Sequence, residues 1–87
     1  MTEYEFYRNT SPGLMMALYR NRYHKYLTFT EAEKELVELR FFFRSESKAG
    51  RTYDTVAALW QAFAQSNDRS AAKRDNFNML TERNSND

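Results

Sequence analysis

The sequence predicts a mainly α-helical fold: a small bundle of about four helices with a short N-terminal strand or arm. Helix-capping residues precede segments in which apolar side chains recur at helical spacing. The chain has only two glycines and one proline in 87 residues, and 16% of its residues are aromatic, enough for a small core. A chain of this length forms one domain. We therefore expect a single domain over residues 1–87, with an arm at 1–10 and a frayed tail at 82–87.

The N-terminal arm is followed by the first expected helix. The first nine residues alternate loosely, with Tyr4 and Phe6 set against Glu3 and Glu5, which allows a short strand or an extended arm. Ser11-Pro12 then indicates a helix start, because the hydroxyl can accept an amide hydrogen bond and proline costs nothing at the first helical position. This helix is expected to run from about Pro12 to Tyr26. Its apolar side chains cover a wider arc than a core-facing stripe requires.

A capping box predicts the second helix. Thr30-Glu31-Ala32-Glu33 fits the capping-box pattern. In this pattern the Thr30 hydroxyl accepts from the Glu33 amide, and the Glu33 carboxylate accepts from the Thr30 amide. The run Phe41-Phe42-Phe43 could end as a strand, but the strong cap favours a continuous helix to about Arg44. Consecutive helical side chains diverge by about 100°. At least one of these rings must therefore meet another element, a partner or solvent.

The second half of the chain predicts two more helices. Residues 45–51 contain a glycine and are expected to form a loop. Thr52 or Asp54 caps a third helix to about residue 65, followed by a polar turn at 66–70 and a weaker helix from Ala71 to about Thr81. The third helix is expected to supply core residues, above all Leu59, Trp60 and Phe63.

Charge is nearly balanced in total but segregated along the chain. The formal net charge is +1, yet residues 6–30 contain no acidic side chain, and five glutamates lie between residues 31 and 46. Such segregation produces local fields on the surface. This charge segregation is compatible with a protein that has one basic side facing phosphates and one acidic side binding a basic protein. The alternative is that each helix only has a solvated charged face.

Composition argues against several functional classes. The chain has no cysteine and one histidine, which leaves no thiolate chemistry and no paired imidazoles for a transition metal. His24 has no orienting carboxylate nearby in sequence, and no catalytic or phosphate-loop motif is present. No apolar run approaches about 18 residues, so neither a membrane span nor a secretory signal is expected. We expect a cytoplasmic, non-enzymatic protein without cofactor or metal, of bacterial or phage origin.

Part of the chain resembles the helix-turn-helix of bacterial sigma factor region 4. Leu39-Arg40-Phe41, Arg51-Thr52 and Val56 stand at places comparable to those of the family, and the resemblance covers roughly residues 29–82. The predicted third helix is about a turn longer than in the family. The resemblance implies a transcription regulator that contacts DNA, RNA polymerase or both. It implies a recognition helix that carries Arg69, Lys73, Arg74 and Asn76.

The segment 19–26 interleaves aromatic and basic side chains. Cations neutralise phosphates and aromatic faces stack on unpaired bases, which makes Arg20, Arg22 and Lys25 candidate nucleic-acid-binding residues. Tyrosine and arginine are also frequent in protein interfaces. The candidate partner-binding residues are Tyr19, Tyr23, Tyr26, Phe41 and Phe42. The alternative is that the tyrosines pack at the rim of the core.

Two functional hypotheses follow from these features. The first is a phage- or plasmid-type transcription regulator in contact with DNA, RNA polymerase or both. The second is a phage-type inhibitor or adaptor that binds a protein and no nucleic acid. A protein partner is expected in the second case and is compatible with the first. A homodimer would also cover the surplus aromatic surface.

Overall fold

Residues 1–85 form four helices. The computed structural model describes the backbone of residues 1–85 and the side chains of residues 1–70. The helices are α1 (Glu3–Asn9), α2 (Pro12–Tyr23), α3 (Phe29–Lys48) and α4 (Val56–Ser85), and the described residues contain no strand. The predicted mainly α-helical bundle is confirmed. Its four helices differ from the predicted four, because one is added at the N-terminus and the last two are fused.

The N-terminal segment is a helix, so the predicted strand or arm is wrong. The Thr2 hydroxyl accepts a hydrogen bond from the amide of Glu5 at 3.1 Å and caps α1. Phe6 is only 1% exposed, and its ring meets that of Phe43 edge-on with centroids 5.3 Å apart. One capping hydroxyl and one buried ring therefore stabilise a helix too short to show a clear apolar period.

The start of α2 is as predicted, but its end is earlier. The Ser11 hydroxyl accepts from the Leu14 amide at 3.1 Å, and Pro12 occupies the first helical position. The helix ends at Tyr23 instead of Tyr26, because His24 adopts the left-handed conformation at φ 53°. The His24 amide still donates to the Arg20 carbonyl at 3.0 Å. The chain therefore leaves the helix abruptly and reaches α3 through a short connection.

The capping box of α3 is formed by Thr28, not by Thr30 as predicted. The Thr28 hydroxyl accepts from the Glu31 amide at 3.2 Å, and the Glu31 carboxylate accepts from the Thr28 amide at 2.9 Å. Leu27 and Ala32 flank this box and are both buried, at 5% and 0% exposure, as in a hydrophobic staple. From there α3 continues beyond the predicted Arg44 to Lys48, and the helical alternative for residues 41–43 is confirmed.

The last helix is continuous, so the predicted turn at residues 66–70 is wrong. The Thr55 hydroxyl accepts from the Ala58 amide at 3.1 Å, after the predicted caps at Thr52 and Asp54. α4 then extends to Ser85. Residues 66–70 contain neither glycine nor proline, and their polar side chains lie on its outer faces. The predicted tail at 82–87 lies partly in α4 and partly outside the described residues.

The core lies where α1, α2 and α4 meet α3. Trp60 and Phe63 are 6% and 5% exposed, which confirms their predicted place. The Phe42 ring packs edge-on against Phe63 with centroids 5.5 Å apart, whereas Phe41 is 59% exposed. The predicted divergence of the three phenylalanines is therefore confirmed. The buried hydrophobic residues among those described are Phe6, Met15, Tyr19, Leu27, Ala32, Leu39, Leu59, Trp60, Phe63 and Ala64.

Candidate binding surfaces

Asp68 of α4 forms a polar cluster with two side chains at the end of α2. The Asp68 carboxylate accepts hydrogen bonds from Arg22 at 3.0 Å and from the Tyr23 hydroxyl at 2.8 Å. The bond from Arg22, with a smaller contribution from Tyr23, lowers the pKa of Asp68. Arg22 and Tyr23 were candidates for nucleic-acid and partner binding. Both side chains remain partly exposed, and their polar groups form an interhelical contact within the chain.

Tyr19 is a core residue and is not available to a partner in this fold, contrary to the sequence prediction. Its side chain is 9% exposed, and its ring centroid lies 5.2 Å from that of Trp60. The hydroxyl donates to the Glu35 carboxylate of α3. Burial and, second, this hydrogen bond raise the pKa of Tyr19. The alternative left open by the sequence, packing against the core, is the correct one for Tyr19.

The Tyr19 and Asp68 contacts line an open groove between α2, α3 and α4. Its volume is about 740 Å³. Two of its three carboxylates, Glu35 and Asp68, accept hydrogen bonds from the chain's own side chains, so the groove belongs to the packing of the helices. Lys25 also lines it. No group of three or more His, Asp and Glu side chains suited to a metal ion occurs among residues 1–70.

An apolar cleft lies at the corner where α2 leads into the connection to α3. Tyr26 is 75% exposed, and the guanidinium of Arg20 lies 5.5 Å from its ring centroid. The left-handed turn at His24 and the burial of Leu27 fix the path that carries Tyr26 back over Arg20. The cleft has a volume of about 240 Å³. We call its lining residues the corner surface: Met16, Ala17, Arg20, Tyr26 and Leu27.

A second exposed aromatic area lies on α1 and the outer side of α3. Tyr4 is 70% exposed, and Phe41 projects from α3 away from the core. The Arg40 guanidinium lies 4.6 Å from the centroid of the Tyr7 ring. Arg44 binds Glu3 at 2.6 Å, and this hydrogen bond lowers the pKa of Glu3. These contacts hold α1 against α3. Of the two predicted partner-binding phenylalanines, Phe41 is exposed and Phe42 packs on the core.

Among the predicted nucleic-acid-binding residues whose side chains the structure describes, Arg20, Lys25 and Arg69 lie in three different places. Arg20 lines the corner cleft and Lys25 lines the polar groove. Arg69 lines a third cavity, and its Nε donates to the Gln65 carbonyl at 3.5 Å. Lys73, Arg74 and Asn76 belong to α4, but their side chains lie outside the described ones.

Sequence reasoning missed two exposed residues near the corner and the anchoring role of Asp68. Met16 is 37% exposed and lines the cleft, and Phe29, at the start of α3, is 61% exposed. The available signal was the surplus of apolar side chains around α2. Placing the capping box at Thr28 would also have put Phe29 at the first position of α3. Side chains at a helix end are often exposed to solvent.

Comparisons of the chain with protein-family models, with curated proteins and with solved structures found no match. In the part of the chain that the structure describes, no helix combines the length and the apolar character needed to cross a bilayer.

Proposed function

We propose that the chain is a small non-enzymatic protein-binding module, of the inhibitor or adaptor kind, that docks on its partner through the corner surface. The observation that carries the proposal is the exposure of the Tyr26 ring, 75%, beside an apolar cleft. Tyrosine and arginine are the side chains that most often dominate protein interfaces. A cytoplasmic site of action is part of the proposal and agrees with the absence of cysteine.

The concave shape of the corner surface distinguishes it from the other exposed rings. Single exposed hydrophobic side chains are normal on a protein surface and need no partner. A cleft, in contrast, lets a partner's side chain lose its water on several sides at once. The Arg20 guanidinium, stacked 5.5 Å from the Tyr26 ring centroid, restrains that ring before binding. This restraint lowers the entropy cost of forming the interface.

The second candidate is the transcription regulator that contacts DNA or RNA polymerase. It is favoured by the exposed cations Arg20 and Lys25 in the stretch without acidic residues. A helix-turn-helix joins its two helices by a turn of about 3–4 residues, and residues 66–70 are helical instead. A direct DNA contact would therefore need another geometry, which ranks this candidate second. Binding to RNA polymerase as a protein partner is compatible with the first proposal.

The test is capture of a partner from a nuclease-treated bacterial lysate at moderate salt. The Tyr26→Ser variant removes the ring at the cleft, and Tyr4→Ser is the matched control, because Tyr4 is 70% exposed on α1. We expect wild type and Tyr4→Ser to capture the same stoichiometric protein and Tyr26→Ser to lose it, with all three showing the same circular dichroism.

Two results would contradict the proposal. One is equal capture by Tyr26→Ser and wild type. The other is capture that nuclease abolishes, together with binding to a DNA fragment that weakens steeply between about 50 and 200 mM salt, as contacts with several phosphates require. The second result would favour the transcription-regulator candidate.

A further inference from the structure

We propose that the corner surface receives an acidic segment of the partner, with one apolar side chain in the cleft and a neighbouring carboxylate on Arg20. This inference rests on the proposed protein-binding function and adds the chemistry of the partner.

The cleft is built to take an apolar side chain. Met16, Ala17 and Leu27 contribute aliphatic or thioether surface, and the Tyr26 ring adds an aromatic wall. Its volume, about 240 Å³, is of the order of one large side chain. Methionine is flexible and polarizable, so Met16 can adapt to anchors of different shape. The only charged side chain in the lining is Arg20.

The charge at the cleft favours a carboxylate. Arg20 forms no salt bridge with any side chain that the structure describes, in contrast to Arg22, Arg40, Arg44 and Arg51. No acidic residue occurs between residues 6 and 30, a range that contains the whole lining. The carboxylate that follows this range, Glu31, already accepts a hydrogen bond from the Thr28 amide at 2.9 Å. Guanidinium groups bind carboxylates through two parallel hydrogen bonds, which also fixes the orientation of the partner.

The positions of the other cations among residues 1–70 disfavour a nucleic acid at this surface. A phosphate backbone is bound by several lysines and arginines along one face, since its affinity comes from neutralising many phosphates. Here Lys25 and Arg69 line other cavities. One arginine beside an apolar cleft matches an acidic peptide better than a chain of phosphates.

The experiment is selection of random peptides displayed against the full chain, followed by affinity measurements on a selected peptide. We expect the enriched peptides to share an apolar residue next to Asp or Glu. Arg20→Gln should weaken binding about tenfold or more, the effect of losing charge-assisted hydrogen bonds. Ala17→Leu should also weaken it by filling the cleft. Asn21→Leu is the matched control, because Asn21 is likewise exposed on α2 but does not line the cleft.

The outcomes separate the inference from the proposed function. Peptides that need the open cleft but lack acidic residues and tolerate Arg20→Gln would overturn the inference and leave the proposed function standing. No enrichment, or peptides that bind Ala17→Leu as well as wild type, would also overturn the inference, and the lysate capture then decides the proposed function.

Two other occupants are tested directly. Binding of a fluorescein-labelled oligothymidylate that is lost in both Tyr26→Ser and Arg20→Gln would assign the surface to nucleic acid. A concentration-dependent dimer in analytical ultracentrifugation that Ala17→Leu abolishes would assign it to a second copy of the chain. Either result overturns the acidic-segment inference.

Discussion

Removing the Tyr19 hydroxyl tests whether this residue stabilises the fold or serves a partner. Tyr19→Phe keeps the ring and its packing on Tyr23 and Trp60, whose centroids lie 5.3 Å and 5.2 Å away. It removes only the hydroxyl that donates to Glu35. A hydrogen bond to a charged group contributes about 1.5–3 kcal/mol. Glu35 is only half-buried and regains water, so we expect a loss of about 1 kcal/mol, somewhat below that range.

Urea unfolding followed by far-ultraviolet circular dichroism measures this loss. In a domain of this size, about 1 kcal/mol corresponds to a decrease in Tm of roughly 4–8 °C. The urea m-value should stay constant, since the exposed surface of the two states is unchanged. Tyr26→Phe is the matched control, because the exposed Tyr26 hydroxyl makes no hydrogen bond with the described residues. Capture of a partner at the corner surface should be unaffected by Tyr19→Phe.

The same variant predicts a pH dependence. Burial raises the pKa of Tyr19 above its ordinary value of 10.0, so the unfolded chain loses this proton first. The stabilisation is therefore fully present below about pH 10 and is lost as the pH rises above it. The difference between wild type and Tyr19→Phe should narrow in alkaline solution. Equal stability of the two proteins at neutral pH, or a difference that widens above pH 10, would refute the reasoning.

Three further predictions concern Asp68 and the two glycines. Asp68→Asn should lower the Tm at neutral pH, because the carboxylate accepts from Arg22 and Tyr23. These partners lower the pKa of Asp68 below 3.8, so its contribution is present above that pH and lost as the pH falls further. The difference in Tm between variant and wild type should narrow as the pH falls below 3.8, and a constant difference would contradict this. Gly50→Ala should destabilise by about 1 kcal/mol, because Gly50 has φ +81°. Gly13→Ala should stabilise by about 0.5–1 kcal/mol, since the added Cβ meets only the Ser11 hydroxyl oxygen at 3.8 Å. Urea midpoints that shift in the same direction for both glycine variants would count against this account.

Local sequence signals predict a helix start well where only one candidate cap exists. Ser11-Pro12 is such a case, and the structure confirms it. At the start of α3, the capping pattern occurs twice in overlap, from Thr28 and from Thr30. The choice depends on which flanking residues are buried, and only Leu27 before Thr28 packs into the core. Pattern matching cannot decide this, because burial is a property of the folded chain.

The continuity of α4 shows the limit of reading polar residues as turns. Residues 67–70 are exposed all around this part of the helix, so their polarity reflects contact with solvent and not a bend in the chain. Asp68 in this segment binds Arg22 and Tyr23, which lie far away in sequence. A contact over such a distance cannot be read from neighbouring residues. The absence of glycine and proline from residues 66–70 was the available signal that the helix could continue.

The tyrosines of segment 19–26 could not be sorted into buried and exposed ones from periodicity. Tyr19 is one helical turn beyond the buried Met15 and shares its face, which was a usable signal. Tyr26 is exposed because the chain leaves the helix at His24. A left-handed conformation at a residue other than glycine is uncommon. The sequence prediction extended α2 to Tyr26 and therefore could not reveal the corner surface.

The chain has one tryptophan, and its indole lies where rings from three helices meet. The Trp60 centroid is 5.2 Å from that of Tyr19 and 5.8 Å from that of Phe63, which in turn contacts Phe42. Its fluorescence is thus a built-in optical reporter of how α2, α3 and α4 assemble. In the native protein, excited Tyr19 should transfer its energy efficiently to Trp60. This transfer should be lost when α2 separates from α4, and measuring it requires no attached dye.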